Sequence, residues 1–435
     1  MKLNLKQLLS DKFVRGTFWL TAVSFIGSVF NYLVHPILTR HLAIAEYGDF
    51  QAILSFMTIV GVISTVVSTT LTKKISSLAA EHPEEIDALR RRASFRLFFV
   101  GLTAFVLIVI FSSPLNSLLK ISEPAVLIIS SLSLLYVFPL IVNRATLTGL
   151  QVFSALSLSS LLDAASRLLL TVVFVAIFPW GLLGASYSLA LAGLAAFLII
   201  FWQIKKLKLT PASADYKPSL RIMWRYALLV LWFTALYQFF YNFDMLFVKS
   251  FFSPEEAGLY GALLTIGRII YFIGGSVPLV MFPVLAGLKD DQGNRRHAIL
   301  GKSLLLMSGL TVPTYLVIAL FPEFVIKIIV GVKYLSLVIY LPSFALVILL
   351  LTILTVLSQY FLALAKRRGL VVLSFAALLE IILLILWHDN IWEIIHSLTV
   401  VFGGASLALI ILFMFDLRPS RKIIKNSAVE GINIL

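Results

Sequence analysis

The sequence predicts an all-α integral membrane protein of about twelve transmembrane helices, arranged as two six-helix lobes around a central cavity. Of its 435 residues, 60% are hydrophobic and 13% are charged, and the mean hydropathy is +1.01. A soluble chain of this length is much less apolar. Apolar runs of roughly 18 to 25 residues recur from end to end, and each is long enough to cross a bilayer as a helix.

Twelve such runs can be placed along the chain, and the short connections leave little room for a soluble domain. The start of the chain leads into an apolar stretch that is too long for a signal peptide and lacks a small-residue cleavage site, so the first helix is expected to stay. The predicted helices cover residues 14–36, 47–71, 93–112, 124–146, 153–178, 181–203, 222–250, 256–284, 299–320, 335–362, 369–388 and 394–416.

Basic residues gather in alternate connections. Most of the 35 Lys and Arg lie near the two ends of the chain or in every second loop. By the positive-inside rule, this predicts a multi-pass protein of the cell (inner or plasma) membrane with both termini in the cytoplasm. The net charge of +14 is then a topology signal and does not indicate a nucleic-acid partner. The opposite loops hold only Arg40, Lys120, Lys249, Lys327 and Lys333.

A short internal repeat divides the helices six and six. The segment AEYGDFQAIL, from Ala45, aligns with EEAGLYGALL, from Glu255, and each opens the second helix of its half. Two halves of the same orientation imply lobes at 1–210 and 211–435, related by a pseudo-two-fold axis along the membrane normal. A chance match of so short a segment is the alternative. The matched pairs are Glu46 with Glu256, Gly48 with Gly258, and Phe50 with Tyr260.

The first-helix exit and second-helix entry carry a family resemblance. The stretch 31–50, with Arg40 and Leu42 followed by the Glu-Tyr-Gly that starts at Glu46, resembles the polysaccharide-type flippases. These belong to the multidrug, oligosaccharidyl-lipid and polysaccharide exporter superfamily. Asp244 followed by Phe247 is similar to the seventh helix of that family. Together with the predicted topology, the resemblance covers essentially the whole chain.

The resemblance implies a V-shaped, alternating-access carrier. Its substrate would be a polyprenyl-diphosphate-linked oligosaccharide, presented to the outer leaflet for assembly of a surface glycan such as an exopolysaccharide or O-antigen. The implied partners are this lipid-linked substrate, membrane lipids and the polysaccharide polymerase machinery, with no cofactor. Many members carry fourteen helices, so the chain departs from the family in lacking a pair that could form a lipid-tail groove.

Arg268 is the first candidate for binding the diphosphate. It lies about twelve residues into its predicted helix, or about 18 Å at 1.5 Å per residue, which is near mid-membrane. A guanidinium offers phosphate oxygens a permanent charge and a planar fork of donors. The alternative is a structural Arg bonded to helix-end carbonyls or paired with Asp244. Arg167 and Arg40 are further candidates, and Arg40 could instead fix its loop against Glu46.

Three acidic residues inside predicted helices are candidates for ion coupling. Asp163 and Arg167 are four residues apart on one helix, so they can form a neutral pair; if the pair opens, Arg167 becomes a phosphate contact and Asp163 a proton or cation site. Asp244 lies on a polar face with Gln238 and Asn242 that is not expected to face lipid. Glu380 could carry a proton or make a hydrogen bond between helices.

The first helix carries a polar stripe that is consistent with a cavity lining. The spacings of four, three and four residues place its members on one face of a helix. Hydrogen bonding between helices is the alternative, and for His35 a structural role is favoured over pH sensing. The stripe consists of Ser24, Ser28, Asn31 and His35.

No motif supports a catalytic function. The chain has no cysteine, phosphate-binding loop, nucleophile elbow or His-Glu-x-x-His pair, so we expect no enzyme activity, catalytic residue, metal or cofactor. Two other classes stay open. A cation-coupled multidrug antiporter of the same superfamily would favour an acidic cavity, and a membrane glycan polymerase or ligase would commonly carry a large outward loop.

Overall fold

The structure is a computed structural model that describes the backbone of residues 12–207, 209, 224–286, 293–364 and 366–416. Within these ranges it is all-α, with no strand. The helices are α1 (Lys12–His41), α2 (Ile44–Val60), α3 (Val62–Glu81), α4 (Ile86–Ile110), α5 (Ser112–Leu119), α6 (Pro124–Ser131), α7 (Leu134–Gly149), α8 (Phe153–Thr171), α9 (Gly181–Lys206), α10 (Trp224–Phe251), α11 (Pro254–Gly274), α12 (Ser276–Ala286), α13 (Gly293–Leu320), α14 (Pro322–Ile329), α15 (Leu341–Ala363), α16 (Arg367–Leu386) and α17 (Ile391–Asp416).

The helices confirm the predicted fold class. Ten stretches within the described residues are long and apolar enough to cross a membrane, which makes the chain a multi-pass membrane protein. The first and seventh predicted helices coincide with α1 and α10 but are not among these ten, so the count of twelve stays a prediction. Much of the predicted cytoplasmic charge, at both ends and in the central connection, lies outside the described residues.

The fourth predicted span is broken near its middle, between α6 and α7. At the break, backbone hydrogen bonds join residues three apart, such as Leu135 N to the Leu132 carbonyl at 3.2 Å. Pro139 lies one turn further along. It has no N–H to donate to the carbonyl four residues earlier, so the first turn of α7 lacks one helical bond. The span therefore continues across the membrane as two helices.

The described residues form two compact units. The first unit comprises the chain up to Thr265 and the segment Ile326–Ser336. The second unit comprises Ile266–Val325 and the chain from Leu337 onward. In the first unit, α8 packs against α1 and α9, and α7 against α3 and α4. In the second, α15 packs against α13 and α17. The division into lobes at residue 210 stays a prediction.

Small residues allow the helices of the first unit to approach closely. Close packing of this kind is expected in a membrane, because lipid tails are as apolar as the helices and the hydrophobic effect does not hold the helices together. A Cβ placed on Gly101 of α4 would lie 2.2 Å from the carbonyl oxygen of Leu134 on α7. A Cβ on Gly193 of α9 would lie 2.8 Å from the ring of Tyr136. The close contacts at Gly101 and Gly193 position α4 and α9 on the two sides of the broken span.

Candidate functional site

The matched residues of the internal repeat occupy equivalent places in α2 and α11. Glu46 accepts a hydrogen bond from the backbone N–H of Ala43 at 2.8 Å, and Glu256 accepts one from Ser253 at 3.1 Å. Each carboxylate thus reaches back three residues to cap the start of its own helix. The matched glycines lie where α2 and α11 cross in close contact. A Cβ on Gly258 would lie 1.9 Å from the carbonyl oxygen of Ile44, just before Gly48 in α2. Similarly, a Cβ on Gly48 would lie 2.7 Å from the nitrogen of Gly258.

A polar network continues along the contact between α2 and α11. The amide of Gln51 donates to the hydroxyls of Tyr47 and Thr265, both at 2.7 Å. The two hydroxyls are 2.6 Å apart. Nδ1 of His35 lies 3.0 Å from the Tyr47 hydroxyl, so this histidine bonds between helices, as the structural alternative anticipates. Asn31 donates to the Gly27 carbonyl of its own helix at 3.1 Å.

A fully buried ion pair joins α2 to the last turn of α10. Nζ of Lys249 lies 2.5 Å from Oδ1 of Asp49, and both side chains are 2% exposed or less. The other carboxylate oxygen accepts hydrogen bonds from the backbone N–H and the hydroxyl of Ser122, at 3.0 and 2.6 Å. Lys249 therefore lies in a helix and not in an outward loop, which the charge pattern predicts for it. Its charge is matched inside the protein.

Three other cations of the predicted outward side bind carbonyl oxygens at the ends of helices, where the helix dipole favours positive charge. Arg40 donates to the carbonyl of Pro36 at 2.9 Å and to that of Ile328, near the end of α14, at 2.7 Å. Its guanidinium is held by these carbonyls and not by Glu46. Lys120 donates to the Phe252 carbonyl at 3.1 Å, and Lys333 to that of Leu42. Burial lowers the pKa of the Lys333 amine, while the Glu46 carboxylate raises it.

The predicted polar face of α10 is largely bonded within the protein. Asp244 is buried, and one of its oxygens accepts a hydrogen bond from the hydroxyl of Tyr260 on α11 at 2.7 Å. The other accepts the backbone N–H of Met245 at 2.8 Å. Asn242 is also buried and donates to the backbone and side-chain oxygens of Gln238, at 3.1 and 3.3 Å. The expectation that this face avoids lipid is consistent with its burial.

The charged cluster on α8 differs from the one predicted. Asp163 pairs with Arg144 of α7, whose guanidinium lies 3.0 Å from Oδ2, and does not pair with Arg167. Arg144 also reaches the Ser159 hydroxyl at 3.4 Å. The side chain of Arg167 is half-buried, and its guanidinium makes no hydrogen bond or ion pair with any residue that the structure describes; its Nε is buried without a partner. The cluster of Arg144, Asp163 and Arg167, called here the α8 cluster, therefore carries one uncompensated positive charge.

Two predicted site residues belong to the second unit. Arg268 lies on α11 and is 8% exposed, and Glu380 lies on α16 and is fully buried. Both fall within stretches long and apolar enough to span a membrane. Their burial agrees with the expectation that such charges avoid lipid.

The fold is that of membrane transporters of the MOP superfamily. A multidrug resistance MATE family transporter in an inward-facing conformation superposes with a TM-score of 0.72 at 15% identity, covering 94% of this chain and 96% of that one. The lipid II flippase MurJ gives 0.68 at 14%, with 91% and 87% covered. A MOP superfamily transporter from Pyrococcus furiosus, described as having a binding pocket of reverse polarity, gives 0.66 at 18%, with 94% and 96% covered.

Sequence comparison identifies the family of the chain. Residues 13–289, well over half of the chain, match the family described as polysaccharide biosynthesis protein, and the chain belongs to this family. No protein with a curated description matches the sequence. The family and the fold confirm the resemblance seen in the sequence.

Proposed function

We propose that the protein is a flippase that moves a polyprenyl-diphosphate-linked oligosaccharide from the cytoplasmic to the outer leaflet, by alternating access, for surface polysaccharide biosynthesis. The observation that carries the proposal is the uncompensated Arg167 of the α8 cluster. A charge inside a membrane costs about 2.5–3.5 kcal/mol on insertion scales, so it is retained where it meets a counter-ion. A diphosphate supplies that counter-ion, and Arg268, in the second unit, is a separate candidate for binding a diphosphate.

The acidic residues of the first unit support an anionic substrate over a cationic drug. Asp49 is paired with Lys249 and Asp163 with Arg144, while both oxygens of Asp244 accept hydrogen bonds, from the Tyr260 hydroxyl and a backbone N–H. A multidrug antiporter, the alternative, would need a carboxylate available to a cation. One observation favours the antiporter: Oδ1 of Asp163 is buried without a hydrogen bond to any residue that the structure describes.

The remaining parts of the proposal follow the sequence. The protein lies in the cell membrane with both termini in the cytoplasm, acts without enzyme activity, and works beside the polysaccharide polymerase machinery. Substrate contacts beyond the arginines come from Asn31, His35, Gln238 and Asn242, with Arg40 as the weakest cation because carbonyls already hold it. Asp163, Asp244 and Glu380 are the residues proposed for ion coupling, and Asp163 is favoured by its unbonded oxygen.

Binding measurements on charge variants of the α8 cluster test the proposal. Arg167→Gln should weaken binding of a water-soluble, short-chain prenyl diphosphate at least about tenfold, because a hydrogen bond to a charged group contributes roughly 1.5–3 kcal/mol. Arg144→Gln should weaken it similarly, since Asp163 then neutralises Arg167. Adding Asp163→Asn to Arg144→Gln should restore binding, because the net charge returns to its original value.

These variants separate a binding role from a structural one. If the cluster only stabilises the fold, affinity should follow the thermal stability of each variant, and Arg167→Gln, which breaks no ion pair, should bind as the wild type does. Arg91→Gln is a matched control, since Arg91 is exposed and pairs with Asp87 at 2.7 Å outside the cluster. Wild-type affinity in Arg167→Gln would contradict the assignment of the site.

A further inference from the structure

An apolar groove opens on the surface of the first unit, between helices that are long and apolar enough to span a membrane. Its volume is about 500 Å³, a size typical of ligand sites. Its floor is the broken span, at Leu132, Tyr136 and Pro139, and its walls are Phe98 of α4 and the α9 face that includes Leu191 and Phe197. The lining is almost wholly apolar, which suits a hydrocarbon chain.

The broken span explains why a groove forms here. Where α6 ends and α7 begins, the helix is interrupted, and Pro139 prevents a regular turn from filling the gap. Both α4 and α9 pack against these two short helices. A small residue, Ala190, stands in the groove wall where a larger side chain would fill the space.

An aromatic strip leads from the groove to positive charge at the end of α9. The ring of Phe197, in the groove, lies 6.2 Å from that of Phe201, and Nζ of Lys205 lies 4.6 Å from the centre of the Phe201 ring. These three residues follow one another at spacings of four, along one face of the helix. Lys206 lies 3.3 Å over the exposed ring of Trp202. This is the end of α9 that the basic residues predict to be cytoplasmic.

The groove also borders the α8 cluster. Its floor residue Tyr136 is within electrostatic range of both Asp163 and Arg167. The Tyr136 hydroxyl donates to the Ala190 carbonyl at 2.5 Å, which fixes the ring against α9. One side chain thus lines the groove and also interacts electrostatically with the charged cluster.

We propose that this groove holds the isoprenoid chain of a polyprenyl-diphosphate lipid while Lys205 and Lys206 receive its diphosphate at the cytoplasmic surface. The inference rests on the proposed function and assigns a docking site to the substrate before it is turned over.

Charge complementarity selects this occupant over the surrounding lipid. A chain that leaves the bilayer for the groove gains no hydrophobic energy, because lipid tails are as apolar as the lining. The preference comes from the headgroup, and each basic residue near the surface contributes about fivefold in affinity for an anionic lipid. A diphosphate carries more negative charge than the single phosphodiester of a phospholipid, so two ammonium groups favour it.

Photocrosslinking in vesicles tests the docking site. The probe is a polyprenyl diphosphate with a diazirine in its third isoprene unit, and mass spectrometry locates the labelled residues in the full-length protein. We expect labelling of α4 and α9 at the groove. Leu191→Trp, which fills the groove, should reduce it about tenfold or more, whereas Leu198→Trp, equally on the surface of α9 but outside the groove lining, should leave it unchanged.

Competition decides between the substrate and ordinary lipid. Unlabelled polyprenyl diphosphate should displace the probe at a much lower mole fraction than phosphatidylglycerol, and a Lys205→Gln, Lys206→Gln variant should lose most of that advantage. Equal displacement by phosphatidylglycerol, or labelling indifferent to Leu191→Trp, would overturn the proposal. Labelling requires no transport, so the two proposals can fail separately. If the protein flips the lipid but the groove is not labelled, only the docking site is refuted. If the groove is labelled but the lipid is not flipped, only the proposed function is refuted.

Discussion

Asp49→Asn is expected to lower the free energy of unfolding by about 3–5 kcal/mol, the cost of leaving one member of a buried ion pair without its partner. The Lys249 ammonium would remain in a site where both side chains are 2% exposed or less. The amide also loses part of the interaction with Ser122, which donates two hydrogen bonds to the native carboxylate. Thermal unfolding in detergent, followed by tryptophan fluorescence, measures the change.

Two controls isolate the buried charge as the cause. Replacing both partners, as Asp49→Leu with Lys249→Met, should recover most of the loss, since no charge is then left uncompensated. Glu84→Gln removes the partner of His82 in an exposed pair and should change stability by less than about 1 kcal/mol. A stability of Asp49→Asn equal to that of Glu84→Gln would show that the pair is not buried as described.

Gly258→Ala should also destabilise the protein strongly, because the added methyl group would lie 1.9 Å from the backbone carbonyl oxygen of Ile44. A backbone atom cannot turn aside as a flexible side chain can, so α2 and α11 must move apart. Overpacking of this kind costs about 1–3 kcal/mol, and the separation also stretches the hydrogen bonds from Gln51 to Thr265. Thermal unfolding in the same detergent measures the effect.

Gly404→Ala is the matched control for this substitution. Gly404 is also inside a long apolar helix, but a Cβ there would meet nothing within 4 Å. Alanine favours a helix interior over glycine by about 0.5–1 kcal/mol, so this variant should be as stable as the wild type or slightly more stable. If the two variants unfold at the same temperature, the helices do not cross at Gly258.

The fold class could be predicted from the sequence because each membrane-spanning helix satisfies its backbone hydrogen bonds locally and therefore needs only a sufficient apolar run. The capping roles of Glu46 and Glu256 are likewise local, reaching three residues back. The break before Pro139 was missed, although a proline inside a predicted helix is a signal for it. Hydropathy averages over a whole span and hides such an interruption.

The ion pairs of Asp49 and Asp163 could not be predicted because their partners are distant in sequence. The i, i+4 spacing suggested that Asp163 pairs with Arg167, but tertiary packing of α7 on α8 brings Arg144 closer. Asp49 and Lys249 each stand near the end of a predicted helix, where a charge is normally solvated, so neither gave a sign of burial. Arg40 and Lys333 similarly resembled loop residues, and only the fold shows the carbonyls that they bind.

The most direct test of the central claim is reconstitution of the wild-type protein in vesicles with a fluorescent polyprenyl-diphosphate oligosaccharide, followed by head-group accessibility to a lectin confined to the outside. We predict protein-dependent exposure of head groups that begin in the inner leaflet, and loss of that exposure in Arg167→Gln and Arg268→Ala. No exposure in the wild type, with transport of a cationic dye in its place, would contradict the flippase assignment and favour a drug antiporter.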